Sequence, residues 1–322
     1  MISTNKRSHL IILYIIAVFF YWASLYLYVP TLPVYVESKT GVLSMVGLVL
    51  SMYGLWQAIL RLPLGIASDW LGKRKLFILL GFGLAALGAW VMGTADGVNG
   101  LLIGRSITGL AAATWVPLIV AFNSLFPPQE AVRATSILTL VNSLGRMLAT
   151  SVTGSLNEHG GYSLAFFLAA GVALLAVLAV LPVREMKWTP KKPTFNSLSR
   201  LVTRKDVLVP SLLDLVAMYC AWAGTFSFLP ILAQRLGASD VVLSILLSTN
   251  IAIVALGNLA DPVVLETLMD TLFHDPDPLI RKHAVWALGQ FNHPAARQGL
   301  QNALQNEIIS EVRIEINRAL GD

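Results

Sequence analysis

The chain has 322 residues, 56% of them apolar and only 13% charged, with a mean hydropathy of +0.69. Such a composition excludes an ordinary soluble domain and points to a membrane protein. The formal net charge of +5 hides a division: residues 1–249 carry 18 basic and 9 acidic side chains, residues 250–322 carry 5 and 9. The basic excess sits in loops beside apolar runs, so it gives no reason to expect a nucleic-acid partner. The single cysteine, Cys220, lies in an apolar run and excludes an internal disulfide.

In chain order, Lys6, Arg7 and His9 precede an apolar stretch from Leu10 to Val36. It is too long for a signal-peptide core and predicts a retained first span. Tyr26 and Tyr28, near its far end, suit an interfacial aromatic belt, or a substrate path if they face inward. Two further spans, 43–64 and 76–94, flank the charged turn Gly65-Ile66-Ala67-Ser68-Asp69-Trp70-Leu71-Gly72-Lys73-Arg74-Lys75. In it Gly65 lets two helix ends approach, Gly72 permits a left-handed turn, and Asp69 caps its helix or pairs with a nearby cation. Spans at 99–124, 133–156, 163–183, 207–233 and 241–260 bring the expected number to eight, each near the ~20 residues that cross a bilayer.

With the amino terminus inside, the even connections hold nearly all the loop cations, from Lys73, Arg74 and Lys75 to Arg204 and Lys205, and the odd ones hold only Lys39 and Arg235. The positive-inside rule therefore places the protein in a cell membrane with both termini cytoplasmic. Residues 184–206 form a polar linker between a six-span block (1–183) and two more spans (207–260).

Charges inside spans are costly and point to function. Arg105 is the foremost, with a purely structural reading beside it, in which the guanidinium ties helix ends together. Arg146 falls deep in the fifth span and is expected to face the bundle interior, solvated by Asn142, Ser143 and Gly145. Asp214 enters the seventh span and suits a proton site. Arg61 lies near a helix end, where it can snorkel to the interface.

The pattern Gly65-x-x-x-Asp69-x-x-Gly72 followed by Lys73, Arg74 and Lys75 resembles the loop between the second and third helices of the major facilitator superfamily. Arg105-x-x-x-Gly109-x-x-Ala112 is similar to the fourth-helix motif of its proton-coupled members. The end of the first span, Tyr26 to Pro33, also resembles the family's. The resemblance covers residues 1 to about 258. It implies a truncated major facilitator fold and alternating-access transport or efflux of a small organic solute coupled to protons. It further implies that Asp69 and the basic residues lock cytoplasmic helix ends, and that Arg105 assists proton coupling or anion recognition. Two departures dilute it. Trp70 stands where the family commonly has Arg, and Ala149-Thr150-Ser151-Val152 replaces the Gly-Pro pair of the antiporters.

Beyond this the sequence repeats at an offset of 32. Ala252-Ile253-Val254-Ala255-Leu256-Gly257 recurs as Ala284-Val285-Trp286-Ala287-Leu288-Gly289, Pro262 as Pro294, Asp275 as Glu307, and Ile280-Arg281 as Val312-Arg313. Each unit reads as two short helices, with Pro at a helix start and Gly at a helix end. This resembles HEAT-like repeats of the phycobilin-lyase type, a short α-solenoid over 261–322 with its register starting near 250. Ile308, Ile309, Val312, Ile314 and Ile316 are expected to form an uncapped apolar edge.

The expected fold class is therefore all-α, a polytopic membrane helix bundle of about eight spans followed by a HEAT-like tail. The partners expected are the lipid bilayer, a small-molecule substrate and a protein partner of the tail. No cofactor, metal cluster or catalytic motif is read from the sequence, so an enzyme is not expected. The alternatives to a transporter are a membrane-anchored interaction module and a truncated or fused gene product without transport activity.

Overall fold

The computed structural model describes residues 4–127, 130–183, 204–258, 262–289, 291 and 293–321. Most of the expected 184–206 linker, including Arg184, Lys187, Lys191, Lys192 and Arg200, lies outside them. Among the described residues the chain is all-α, 87% helical and without strands. It divides into two compact units, Met1–Ala252 and Ile253–Asp322.

The first unit is built from α1 (Thr4–Tyr26), α2 (Leu32–Thr40), α3 (Leu43–Leu71), α4 (Arg74–Gly93), α5 (Val98–Ala113), α6 (Trp115–Asn123) and α7 (Ala131–Val180). There follow α8 (Lys205–Ala221), a π-helical stretch Trp222–Phe228, α9 (Leu229–Arg235) and α10 (Asp240–Asn258), inside which the division between the units falls. Six helical runs among the described residues are long and apolar enough to cross a membrane, and Asp240–Ala255 is a shorter apolar run. The long α7 breaks at Gly161 (φ 69°, ψ 178°), so the two spans expected at 133–156 and 163–183 are halves of one run.

The directions of those halves follow from their contacts. Arg7 meets Glu130 at 3.4 Å and the Thr153 hydroxyl donates to the Leu27 carbonyl at 2.8 Å, so the first half of α7 runs parallel to α1. Trp90 packs on Phe167 at 5.1 Å, while the Lys75 ammonium donates to the Leu181 carbonyl at 2.7 Å. The second half is therefore antiparallel to α4.

Two expectations are corrected here. The first span is not continuous to Val36: the helix breaks between Tyr26 and Leu32, where Pro30 supplies no amide donor and Pro33 opens α2. The charged turn is also shorter than expected. Gly65 to Leu71 carry α3 on, because nothing in them breaks a helix, and the connection shrinks to Gly72 and Lys73. Gly72 takes φ 61°, the left-handed region open to glycine.

Lipid removes the hydrophobic drive between helices, so close approach of small residues holds the bundle together. At Gly145 a Cβ would sit 2.7 Å from the Phe19 carbonyl oxygen of α1. At Gly154 it would sit 2.4 Å from the Val241 backbone of α10, and the Gly154 amide donates to the Ser244 hydroxyl at 2.7 Å.

The second unit holds α11 (Pro262–His274), α12 (Pro278–Gly289), α13 (Pro294–Asn306) and α14 (Ser310–Leu320), packed on Leu265, Leu272, Val285, Leu288, Leu300, Val312 and Ile316. Its repetition is chemical as well as helical. A guanidinium of Arg281 donates to the Asp275 carbonyl at 2.9 Å, and 32 residues on Arg313 donates to the Glu307 carbonyl at 3.1 Å. Asp275 accepts the Asp277 amide at 2.8 Å, and Glu307 accepts the Ile309 amide at 3.0 Å. The uncapped edge is smaller than expected: Val312 and Ile316 are fully buried, whereas Ile308 is 89% exposed.

Candidate functional site

Polar groups of the first unit lie at three levels. At the end carrying the basic motif, the Asp69 carboxylate accepts two bonds from Arg74, at 2.7 and 3.1 Å. Asp69 thus ties α3 to the start of α4 across Gly72 and does not cap its own helix. Lys73 is exposed in the connection, and Gly65 sits apart, facing Val116 of α6, whose Cγ1 would lie 3.3 Å from an added Cβ. Arg61 is exposed on α3.

At the opposite end, Arg235 after the π-helical stretch donates to Glu37 of α2 at 2.6 Å. Asn157 of α7 donates both to Thr31 at 2.9 Å and to Asp240 of α10 at 2.8 Å. The first six-span block is thereby joined to the later helices by a polar layer. The sequence reading missed this layer; Arg235, one of the two cations in the odd connections, was the available signal.

Between these levels lies Arg105, only 2% exposed and among the largest fully buried side chains. A buried arginine that serves structure binds carbonyls or carboxylates. Arg105 does neither: its Nε and one Nη have no hydrogen-bond partner, and its guanidinium lies 4.3 Å over the ring of Tyr53. The Tyr28 hydroxyl sits beside Arg105 and Thr108 without closing a well-formed bond to either. Tyr26 and Tyr28 are both buried, so neither forms a lipid-facing belt.

Arg146 does face the interior, but not as expected. Its guanidinium lies 4.2 Å over Tyr26 and 5.9 Å from Trp22, and its Nε has no partner. The Asn142 side-chain oxygen, expected to solvate it, is likewise unpartnered. Asp214 lies on α8, and its side chain falls outside the described residues.

The two arginines are linked through Trp222 and Phe226, which the sequence reading did not single out. Trp222, first residue of the π-helical stretch, contacts Tyr53 under Arg105 at 5.7 Å and Tyr26 under Arg146 at 6.5 Å. Phe226 stacks on Trp222 at 4.7 Å and meets Tyr26 at 6.4 Å. The Trp222-x-x-x-Phe226 spacing was the available signal, since residues four apart share a helix face.

Comparison with known proteins recognises both parts of the chain, with bounds that overlap. The family model for the Major Facilitator Superfamily matches residues 14–274, and that for HEAT repeats matches residues 250–321. An uncharacterized transporter of Buchnera aphidicola is 25% identical over 136 residues, 42% of this chain and 34% of its own. The quinolone resistance protein NorA of Staphylococcus aureus is 25% identical over 212 residues, 63% of this chain and 53% of its own. The chain thus spans about a third to a half of the length of these curated relatives. Among solved structures, a bacterial homolog of the human lysosomal transporter Spinster aligns over 99% of this chain and 74% of that chain. Its TM-score is 0.63 at 16% identity, a likeness of fold.

Proposed function

The chain belongs to the Major Facilitator Superfamily, a family of membrane transporters and not enzymes, and from that premise we propose that it moves a small organic solute by alternating access. The observation that carries this reading is Arg105, a buried cation with no carboxylate partner among the described side chains, between a polar layer at each end of the bundle. Intramembrane cations of this kind mark solute or ion pathways. In this reading the end with Asp69 and Arg74 is cytoplasmic, both termini lie on that side, and the Glu37–Arg235 and Asn157–Asp240 contacts close the outer end. Asp214 is the carboxylate assigned to a coupled proton, and the HEAT-like tail is a cytoplasmic surface for a protein partner.

A second reading, a static membrane anchor that displays the tail, draws on α8. Its Leu208, Leu212, Leu213, Leu215, Val216 and Tyr219 are exposed around the helix, where a transporter's second wall would be expected to cover some of them.

One experiment separates the two without knowledge of the solute. In a Cys220→Ser background, spin labels at Lys39 and Leu236 report the outer end, and labels at Trp70 and Lys205 the cytoplasmic end. Alternating access requires Glu37→Gln with Asp240→Asn to lengthen the outer distance and shorten the inner one. An outer change with no inner response supports the anchor and contradicts transport by rocking.

A further inference from the structure

The ring cluster around Trp222 has more positive charge than its own structure uses. Arg105 stands over Tyr53 at one edge and Arg146 over Tyr26 at the other, and Trp222 touches both tyrosines. Three donors in the same region end without partners while more than nine-tenths buried: Arg105, the Tyr28 hydroxyl and the Trp22 indole N–H. The Trp22 and Tyr26 rings lie 5.9 Å apart. No carboxylate among the described side chains pairs with either arginine. Trp222 and Phe226 are only partly buried. The π-helical turn that presents them widens the helix, a device frequent at functional sites.

We propose that this is a binding site for an aromatic carboxylate, whose carboxylate bonds Arg105 and whose ring stacks against Trp222 and Phe226. Arg105 offers the planar fork that matches a carboxylate in two parallel bonds, and the Tyr28 hydroxyl beside it donates to the same anion. Arg146 adds a second charge that excludes organic cations. Flat aromatic bodies are favoured because the cluster presents ring faces, on which stacking adds to the area buried. The inference rests on the transporter reading for its biological meaning. Binding and motion fail separately, however: a static anchor still binds the anion, and a rocking bundle without this chemistry does not.

The test is quenching of tryptophan fluorescence in the full chain in lipid nanodiscs, with 2-naphthoate, its neutral isostere 2-naphthamide and the cation 2-naphthylmethylammonium as probes. Naphthoate is expected to quench saturably and to bind about tenfold or more tightly than naphthamide, with no saturable binding of the cation. Arg105→Gln brings naphthoate affinity down to that of naphthamide, and circular dichroism of the purified variant shows that it is folded. If Arg105→Gln does not fold, Arg105→Lys keeps the charge without the fork and still lowers the preference several-fold. Trp222→Leu weakens both neutral and anionic probes in proportion. Equal affinity for acid and amide, absence of saturable naphthoate binding, or a preference that survives both Arg105 variants overturns the proposal.

Discussion

Arg105 in the membrane unit and Arg281 in the HEAT-like tail carry the same guanidinium into two largely buried settings, with opposite results. Arg281 donates to the Glu307 carboxylate at 2.9 and 3.0 Å and to the Asp275 and Pro276 carbonyls, so its charge and donors are used by the fold. Arg105 touches one ring face and leaves donors free. A saturated arginine serves stability. An open one leaves its donors to something that arrives. The two units also close their helices differently: the membrane unit brings backbones together at glycines, the tail fills its core with Leu, Val and Ile.

The largest expected effect breaks the glycine side of that comparison. Gly154→Leu places a side chain where even a Cβ would meet the Asp240–Val241 backbone at 2.4 Å, so α7 and α10 must part. Gel filtration in detergent should show loss of the monodisperse protein. By contrast Gly299→Ala in the tail meets only the flexible end of Met269 and should fold normally. A tolerated Gly154→Leu would show that the close approach there is not needed.

Next in size is the tail's ion pair. Glu307→Gln breaks a largely buried charge-assisted pair and should cost the tail about 2–3 kcal/mol. The Arg281 guanidinium holds the Glu307 carboxyl below the usual carboxylate range, helped by the Ile308 and Ile309 amides, while the same pairing pushes Arg281 up. A lowered folded value means that this stability is present above the unfolded value of about 4.3 and is lost as pH falls through the folded one. Hydrogen exchange over the tail should therefore weaken below about pH 4 in the parent chain. In Glu307→Gln that decline should be flatter, and an equally steep decline would assign it to other carboxylates.

Much of this architecture was legible because it obeys periodicities. The 32-residue offset predicted the tail's helix pairs, and the structure adds the reason why Asp275 and Glu307 recur: each holds the turn before a helix and is bridged by the arginine six residues on. The motif around Asp69 located the α3–α4 connection but not its length, because charge beside a span does not end a helix. Arg105 and Arg146 were found as charges inside apolar runs. Their surroundings were not, since Trp222, Tyr53 and Tyr26 lie far apart in sequence and only the fold places one ring between two cations. The polar layer from Glu37 to Asp240 was missed for the same reason.

The measurement that bears most directly on the contrast is hydrogen exchange of the full chain in nanodiscs, comparing Arg105→Met with Arg281→Met. Burying an unpaired charge costs several kcal/mol, whereas its contact with Tyr53 returns only ~0.5–2 kcal/mol. Arg105→Met should therefore leave protection of the ligand-free bundle unchanged or raise it. Arg281→Met should lower protection across Pro262–Leu320. If Arg105→Met loosens the bundle as much as Arg281→Met loosens the tail, Arg105 is a structural residue and the account of an open site fails.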